Sequence, residues 1–329
     1  MRRDIVRFPE EIAPILSVVI HTEEEFDWSL PHNREADAVE HMRYIGRAQG
    51  LFERFGIVPN YVIGYPIAAK ETGFRLLKEY ADDGRAVIGA HLHPWVCPPY
   101  DEEVNARNSY PGNLARDLER EKLRILTETI ESNLGTRPKT YLAGRYGNGP
   151  NSIGILEELG YEVDISVAPT MDYRVDGGPD YSQWTCEPVW CGEKRPVLVL
   201  PGAGGYAGLW RRGGTPLYRF VNRKAFRGIR LPGILSQLGL FERSRLSPED
   251  YRLSELKRLS RNLIADGIRC LVFSFHSPSI QPGCTPYVNT DADLQRFLET
   301  CEAYFEYFFA VLGGQTMHPL QVKALLEKL

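Results

Sequence analysis

The sequence of 329 residues lacks several features that would place it in a class at once. It has no run of about 18 apolar residues, so we expect no segment to span a membrane. The charges nearly balance at a net −4, which gives no reason to expect nucleic-acid binding. No internal repeat or low-complexity tract is visible. The 43% hydrophobic and 25% charged residues are ordinary globular values, which excludes disorder as the bulk state.

The sequence also lacks signs of export. Its six cysteines form no CxxC pair, and Cys186 and Cys191 are spaced too loosely to indicate a zinc or redox pair. In a chain of this size they are most simply reduced thiols. Basic residues open the chain, but acidic residues precede the first apolar run and no small-residue cleavage site follows it. We therefore expect a first strand rather than a signal peptide, and a cytoplasmic protein.

Seven apolar runs rich in β-branched residues recur along the chain, with helical patterns between several of them. The apolar runs are residues 15–20, 60–64, 86–91, 139–144, 162–167, 197–200 and 270–275. The helical patterns are residues 36–55, 71–82, 114–134, 151–159 and 253–265. Strands that alternate with helices predict parallel βαβ units. Seven such units predict an α/β fold with a closed or nearly closed barrel, whose chemistry lies at the carboxyl ends of the strands.

One segment differs from the rest in composition. Residues 211–245 carry nine basic side chains, and Glu242 is the only acid among them. The basic residues are Arg211, Arg212, Arg219, Arg223, Lys224, Arg227, Arg230, Arg243 and Arg245. We expect a single domain over residues 1–329 with an insertion at about 205–250, before the last strand. The insertion is either a solvated packing segment or a contact for an anionic glycan, a phosphate-bearing donor or a membrane surface.

The first strand ends in three consecutive carboxylates at residues 23–25. Like charges this close repel each other, so a bound cation is a natural explanation. Because strand side chains alternate, His21 and Glu23 share one face, and Thr22 and Glu24 share the other.

Histidines mark the ends of two more strands. His91 and His93 are two residues apart, so both point to the same side of the third strand, which suits two imidazoles on one metal ion. His276 is the only histidine at the end of the last strand, where it suits a general acid near neutral pH. We expect the remaining histidines to be structural or on the surface: His32, His41 and His318.

The fourth and fifth strands supply further candidates. The fourth ends in a Gly-Arg-Tyr-Gly turn, where Arg145 could hold a carboxylate and the backbone N–H groups near Tyr146 could donate to an oxyanion. The fifth carries Asp164, which is costly to bury unless it is paired. Asp164 is therefore a candidate orienting group.

Taken together, the order of these strand ends resembles the polysaccharide deacetylase (NodB-type) superfamily from about residue 15 to 315. The stretches HTEEEFDW, GAHLHPW, NSYPGNL, AGRYGNGP, LEELGYEVDISV and FSFHSPS are most similar to its WalW-like subgroup. The resemblance implies a distorted (β/α)7 barrel that hydrolyses carbon–nitrogen bonds other than peptide bonds. It also implies a divalent metal, usually zinc.

The resemblance further implies roles for individual residues. The metal ligands it implies are Glu24, His91 and His93. The catalytic residues it implies are Glu23 as the base, Arg145 as the residue that holds the base, His276 as the acid and Asp164 as the partner of His276. In an alternative register Glu23 is the metal ligand and His21 occupies the base position.

The expected substrate is an N-acetylated sugar in polysaccharide or glycolipid precursor metabolism. Four aromatic residues near the strand ends are suited to stacking on sugar rings: Trp28, Trp95, Tyr110 and Tyr146. A second hypothesis is a catalytically silent barrel that binds a glycan or a partner protein, and a third is hydrolysis of another small amide. The oligomeric state has no signature in the sequence.

Overall fold

The computed structural model describes residues 3–193, 196–228 and 230–329, without the side chains of Arg3 and Arg227. Within these ranges the strands are β1 Arg3–Ile5, β2 Ile15–Thr22, β3 Asn60–Ile63, β4 Val87–Leu92, β5 Thr140–Ala143, β6 Val163–Asp164, β7 Val189–Cys191, β8 Val197–Val199, β9 Gly204–Ala207, β10 Glu242–Arg245, β11 Cys270–His276 and β12 Gln315–Thr316. The α-helices are α1 Gly46–Arg54, α2 Tyr65–Ala69, α3 Glu71–Asp82, α4 Arg116–Leu134, α5 Ser152–Leu159, α6 Gly214–Val221, α7 Lys224–Gly228, α8 Leu231–Gln237, α9 Leu253–Ala265, α10 Asp291–Glu306 and α11 Pro319–Leu326.

Seven parallel strands form a curled sheet in the order β11-β2-β3-β4-β5-β6-β8. These are the seven strands expected from the apolar runs, so the predicted α/β barrel is confirmed. Strands β7 and β1 extend the sheet beyond β8 in antiparallel pairing, and β12 adds to the start of β2. All eight residues of β2 are buried, as expected for a parallel strand covered on both faces.

The helices also follow the sequence pattern closely. Helix α3 spans the predicted residues 71–82, and α4 and α5 end at Gly135 and Gly160, whose positive φ angles of 73° and 83° provide left-handed caps. The predicted helix over 36–55 is wrong at its start. The Ala38 carbonyl accepts a hydrogen bond from the Glu25 N–H, which places Ala38 in an isolated β-bridge instead of a helix. A 3₁₀ turn over Glu40–Tyr44 then precedes α1.

An apolar cluster fills the barrel at the amino ends of the strands. Alternate residues such as Val19, Val62, Leu142 and Val272 contribute to it, and α11 closes it from below. A larger cluster packs the outer helices against the sheet. The predicted site residues lie at the opposite end of the barrel, beyond this apolar filling. Among the described residues, no helix is both long and apolar enough to cross a bilayer.

The segment between β8 and β11 connects the first and the last of the seven parallel strands in the sheet order. Strands β9 and β10 form a separate antiparallel pair, and α6, α7 and α8 lie between them with a small apolar cluster of their own. Ala203 donates its N–H to Val272 and accepts from Leu246, while Ser274 donates to Leu246. The chain after β10 thus lies beside β11 near the carboxyl ends. A single domain over 1–329 with an insertion at 205–250 stays a prediction.

Candidate active site

The carboxyl ends of β2, β4, β5 and β11 meet around one cavity of about 330 Å³. The parallel register brings His21 level with His276, and His91 level with Leu142. Most of the predicted site residues line the cavity: His21, Glu23, Trp28, His91, His93, Trp95, Tyr110, Arg145, Tyr146 and His276. Glu24 and Asp164 are buried behind it.

A buried carboxylate and two buried imidazoles converge at the floor of this cavity. The Oε2 atom of Glu23 lies 3.2 Å from Nε2 of His91 and 3.4 Å from Nε2 of His93. Ligand atoms around a tetrahedral ion with bonds of about 2.0–2.1 Å are separated by about 3.3–3.4 Å. The second oxygen of Glu23, Oε1, is buried and has no hydrogen-bond partner among the described residues. This group therefore fits a divalent metal.

Both imidazoles are fixed through their other nitrogen. Nδ1 of His91 lies 2.8 Å from the carbonyl oxygen of Leu142, which can only accept, so Nδ1 carries the proton and Nε2 presents its lone pair. Nδ1 of His93 lies 2.8 Å from Oε1 of Glu24. A carboxylate behind a histidine in this way is the common support of a metal-ligating imidazole. Glu24 thus supports His93 and does not face the cavity.

The three consecutive carboxylates point in different directions, and each contacts at least one histidine. Glu23 turns into the cavity and Glu24 bonds His93, whereas Glu25 lies 2.9 Å from Nδ1 of the buried His41. Burial and the charge of Glu23 raise the pKa of Glu24 to about 8. Burial acts to raise the pKa of Glu23 as well. The positive charge of His276 and the contact with His91 outweigh it, so the pKa of Glu23 is lowered.

His21 lies at the centre of the cavity wall. Its ring centroid is 4.7 Å from that of His276 and 5.4 Å from that of His91. Burial, together with the charge of His276, holds the pKa of His21 well below its usual range. The surroundings of His21 therefore favour its neutral form.

His276 is held by Glu249, a residue that the sequence analysis did not identify. Glu249 Oε2 lies 2.8 Å from Nδ1 of His276, and Oε1 accepts hydrogen bonds from the His276 backbone N–H and from Ser279 Oγ. Burial acts to lower the pKa of His276, but the charges of Glu249 and Glu23 outweigh it and raise the pKa. No motif marks Glu249, since it lies in the loop after β10.

The expected partnership between Asp164 and His276 is not formed. Asp164 is fully buried and accepts hydrogen bonds from the Ser166 N–H and hydroxyl and from the Asn148 amide. Burial raises the pKa of Asp164 to about 6. The local Ser166 and Asn148 donors satisfy this carboxyl group, so it orients the loop after β5 instead of an imidazole.

Arg145 also has a partner other than the expected one. Its guanidinium bonds Asp176 and the Ser109 hydroxyl and lies 4.2 Å over the Tyr110 ring, and no hydrogen bond joins it to Glu23 or Glu24. Arg145 and Tyr146 both adopt left-handed φ angles, 54° and 60°.

The turn that carries Arg145 and Tyr146 packs closely against β4 because it begins at a glycine. A Cβ atom at Gly144 would lie 2.4 Å from the Leu92 carbonyl oxygen and 2.7 Å from Cδ2 of His93. Glycine is therefore required there for His93 to keep its place.

The four predicted aromatic residues all line the cavity, together with His32. Trp28 approaches His276 edge-on at 4.8 Å between centroids. Trp95 is buried and stacks with both His93 and His32, each at 4.2 Å. His32 was expected to be structural or on the surface; it stacks on Trp95 at the cavity wall, and its loop position gave no signal of this place.

Comparison with known proteins identifies the fold. No protein-family model and no curated protein matches the sequence. A Mycobacterium smegmatis protein assigned as a polysaccharide deacetylase superposes with a TM-score of 0.55 at 14% identity, over 99% of this chain and 96% of that chain. PuuE allantoinase superposes with a TM-score of 0.50 at 17% identity, over 94% and 89%. A 4-α-glucanotransferase from Thermococcus litoralis gives 0.53 at 11%, over 95% of this chain and 40% of that chain.

Identities this low show the fold and leave the activity open. The chain has the barrel fold of the polysaccharide deacetylase (NodB-type) group, as the resemblance implied. Its assignment to the WalW-like subgroup stays a prediction.

Proposed function

We propose that this protein is a metal-dependent hydrolase that removes the acyl group from an N-acylated amino sugar. The observation that carries the proposal is the buried Glu23–His91–His93 group, which faces an aromatic cavity that also holds His276. In this proposal Glu23, His91 and His93 are the metal ligands, and zinc suits one carboxylate and two imidazoles. The contact between Glu24 and His93 supports the register in which Glu23, and not Glu24, is the ligand.

A bound divalent metal would polarise the acyl oxygen and lower the pKa of a water molecule. The protein's own residues move the protons. His21 accepts the proton of the attacking water as its oxygen bonds to the acyl carbon. His276 donates its proton to the nitrogen as the carbon–nitrogen bond breaks, which releases a carboxylic acid and an amine. Glu249 keeps His276 charged and oriented. Tyr146 lies beside His21, with Oη 3.5 Å from Nε2.

The aromatic lining supports a sugar substrate, because aromatic rings pack well against the apolar faces of sugars. The fold shared with allantoinase favours testing ureides and other small amides as a second class. A silent glycan-binding or partner-binding barrel remains the non-enzymatic alternative. Cytoplasmic location stays a prediction.

We also propose that the inserted segment contacts an anionic surface, most simply a lipid headgroup layer. Leu209 and Trp210 bond through their backbone to Gly239 and Leu240, which places them beside Leu238. Leu209 and Leu238 are 75% and 66% exposed, and Trp210 is 47% exposed. Exposed basic residues lie in the same segment: Arg212, Arg219, Arg223, Lys224 and Arg230. Apolar and basic side chains together favour an anionic membrane surface.

The proposed function is tested by release of acid and free amine from a panel of N-acetylated amino sugars, with allantoin and formamides as the second panel. The zinc-loaded protein should release acetate. His276→Ala should retain the metal and lower the rate by about 100- to 10,000-fold, the usual contribution of a general acid. Loss of metal from this variant, or an unchanged rate, would contradict the assigned role. A protein that takes up no metal would favour the silent barrel.

A further inference from the structure

One cation in the cavity is not used by the proposed chemistry. Arg245 is the last residue of β10, and its side chain lines the same cavity as Glu23 and His276. Its guanidinium lies 5.5 Å from the centroid of the Tyr146 ring. It forms no hydrogen bond and no ion pair with any residue that the structure describes. Arg245 therefore brings into the site a positive charge that no described residue holds in an ion pair.

The acidic groups around the cavity are already engaged. Glu23 faces the two imidazoles, and Glu249 bonds the ring and backbone of His276. Asp176 bonds Arg145 and accepts from the Tyr110 hydroxyl. Asp250 is exposed, and although its charge interacts with that of Arg245, the two side chains form no hydrogen bond. The two arginines that line the cavity thus differ: Arg145 bonds the Asp176 carboxylate, whereas Arg245 bonds no carboxylate among the described residues.

A charge removed from bulk water without a partner is costly, so such a group usually serves a ligand. Leu246, the next residue, is hydrogen-bonded to Ala203 and to Ser274 of β11, which fixes the end of β10 against the barrel. The Arg245 side chain is consequently presented by a fixed backbone and not by a free loop.

We propose that Arg245 binds an anionic group of the substrate, a carboxylate or a phosphate, on the same molecule whose acyl amide reaches Glu23, His91 and His93. This inference rests on the proposed function and specifies its substrate class as anionic N-acylated sugars. A guanidinium offers paired N–H donors that match both kinds of oxyanion. Tyr146 lies between Arg245 and His21, so one aromatic ring separates the anion subsite from the reacting end.

The test measures binding and turnover separately, with the zinc-loaded full-length protein. Three ligands are compared. N-acetylglucosamine carries no anionic group, N-acetylglucosamine 1-phosphate carries a phosphate, and N-acetylmuramic acid carries a carboxylate. Calorimetry should show that at least one anionic ligand binds about tenfold more tightly than the neutral sugar, the scale of a charge-assisted hydrogen bond. Comparison of the two anionic ligands distinguishes a phosphate from a carboxylate.

Arg245→Gln should abolish this preference, and Arg245→Lys should retain part of it. Arg212→Gln is the matched control, because it removes one positive charge from the same segment at an exposed position. The Arg212→Gln variant should prefer the anionic ligand over the neutral sugar as strongly as the unmodified protein does. The inference would be overturned if neutral and anionic sugars bound equally well or if neither anionic sugar bound. It would also be overturned if Arg245→Gln kept the full preference for the anionic sugar.

Failure of the proposed function would give a different result. If Arg245-dependent binding of an anionic sugar is measured but no sugar is deacylated, the subsite stands and the hydrolase proposal fails. If neutral sugars are deacylated as readily as anionic ones, the hydrolase stands and the subsite fails.

Discussion

The replacement of Glu249 by glutamine separates the role of this residue from that expected of Asp164. Glutamine keeps the shape but removes the charge opposite His276, where Oε2 now lies 2.8 Å from Nδ1. A hydrogen bond to a charged group contributes about 1.5–3 kcal/mol, so its removal would lower the fraction of protonated His276 by roughly 10- to 100-fold at a pH above the pKa of this histidine. We therefore expect a rate loss of that size at neutral pH, with the metal content and the melting temperature little changed.

The pH dependence of the rate gives the sharper test. His276 must be protonated to act as an acid, and its raised pKa keeps it protonated above the usual range of histidine. The rate should fall as the pH rises through this raised pKa. Without the charge of Glu249 that pKa drops, so the alkaline limb of the kcat profile should move to lower pH. Amine release measured across the pH range for Glu249→Gln, with Asp164→Asn as the control, checks this. An alkaline limb that moves only in Asp164→Asn would refute the reasoning.

Two further predictions concern packing and location. Gly144→Ala should lower zinc affinity and destabilise the fold by about 1–3 kcal/mol, because the added Cβ would lie less than 3 Å from the Leu92 carbonyl oxygen and from His93. Gly154→Ala is the control, since a Cβ there on α5 has open space around it. This variant should stabilise the fold by about 0.5–1 kcal/mol. Thermal melts and metal titration check both, and equal effects would contradict the account. The protein should sediment with vesicles that contain phosphatidylglycerol, less so at high salt or in Trp210→Ser/Leu238→Ser. Equal sedimentation with neutral vesicles would argue against an anionic surface.

The sequence predicted those parts of the fold that depend on burial. Strands covered on both faces must be apolar throughout, so β2 and β11 were visible as continuous runs. Strand alternation also placed His21 and Glu23 on one face, and both line the cavity.

The sequence did not predict contacts that depend on which part of the barrel a loop packs against. Glu249 contacts His276 because the chain after β10 lies beside β11. The residues around position 249 carry no sequence pattern that predicts this path of the chain. Asp164 was expected to be the partner of an imidazole. Its carboxylate instead accepts a hydrogen bond from the hydroxyl of Ser166, two residues further on. Arg245 was visible only as one of nine basic residues, because its place in the cavity depends on the pairing of β9 with β10.

We infer that Glu23, His91 and His93 hold a metal ion while Glu24 supports His93. Metal content by plasma mass spectrometry after zinc reloading tests it most directly, in the unmodified protein, Glu23→Gln and Glu24→Gln. We expect about one zinc per chain in the unmodified protein and none in Glu23→Gln. Glu24→Gln should still bind zinc, with an affinity about 10- to 100-fold lower. Two results would contradict these assignments. One is that Glu23→Gln retains zinc while Glu24→Gln loses it, and the other is that the unmodified protein binds no zinc.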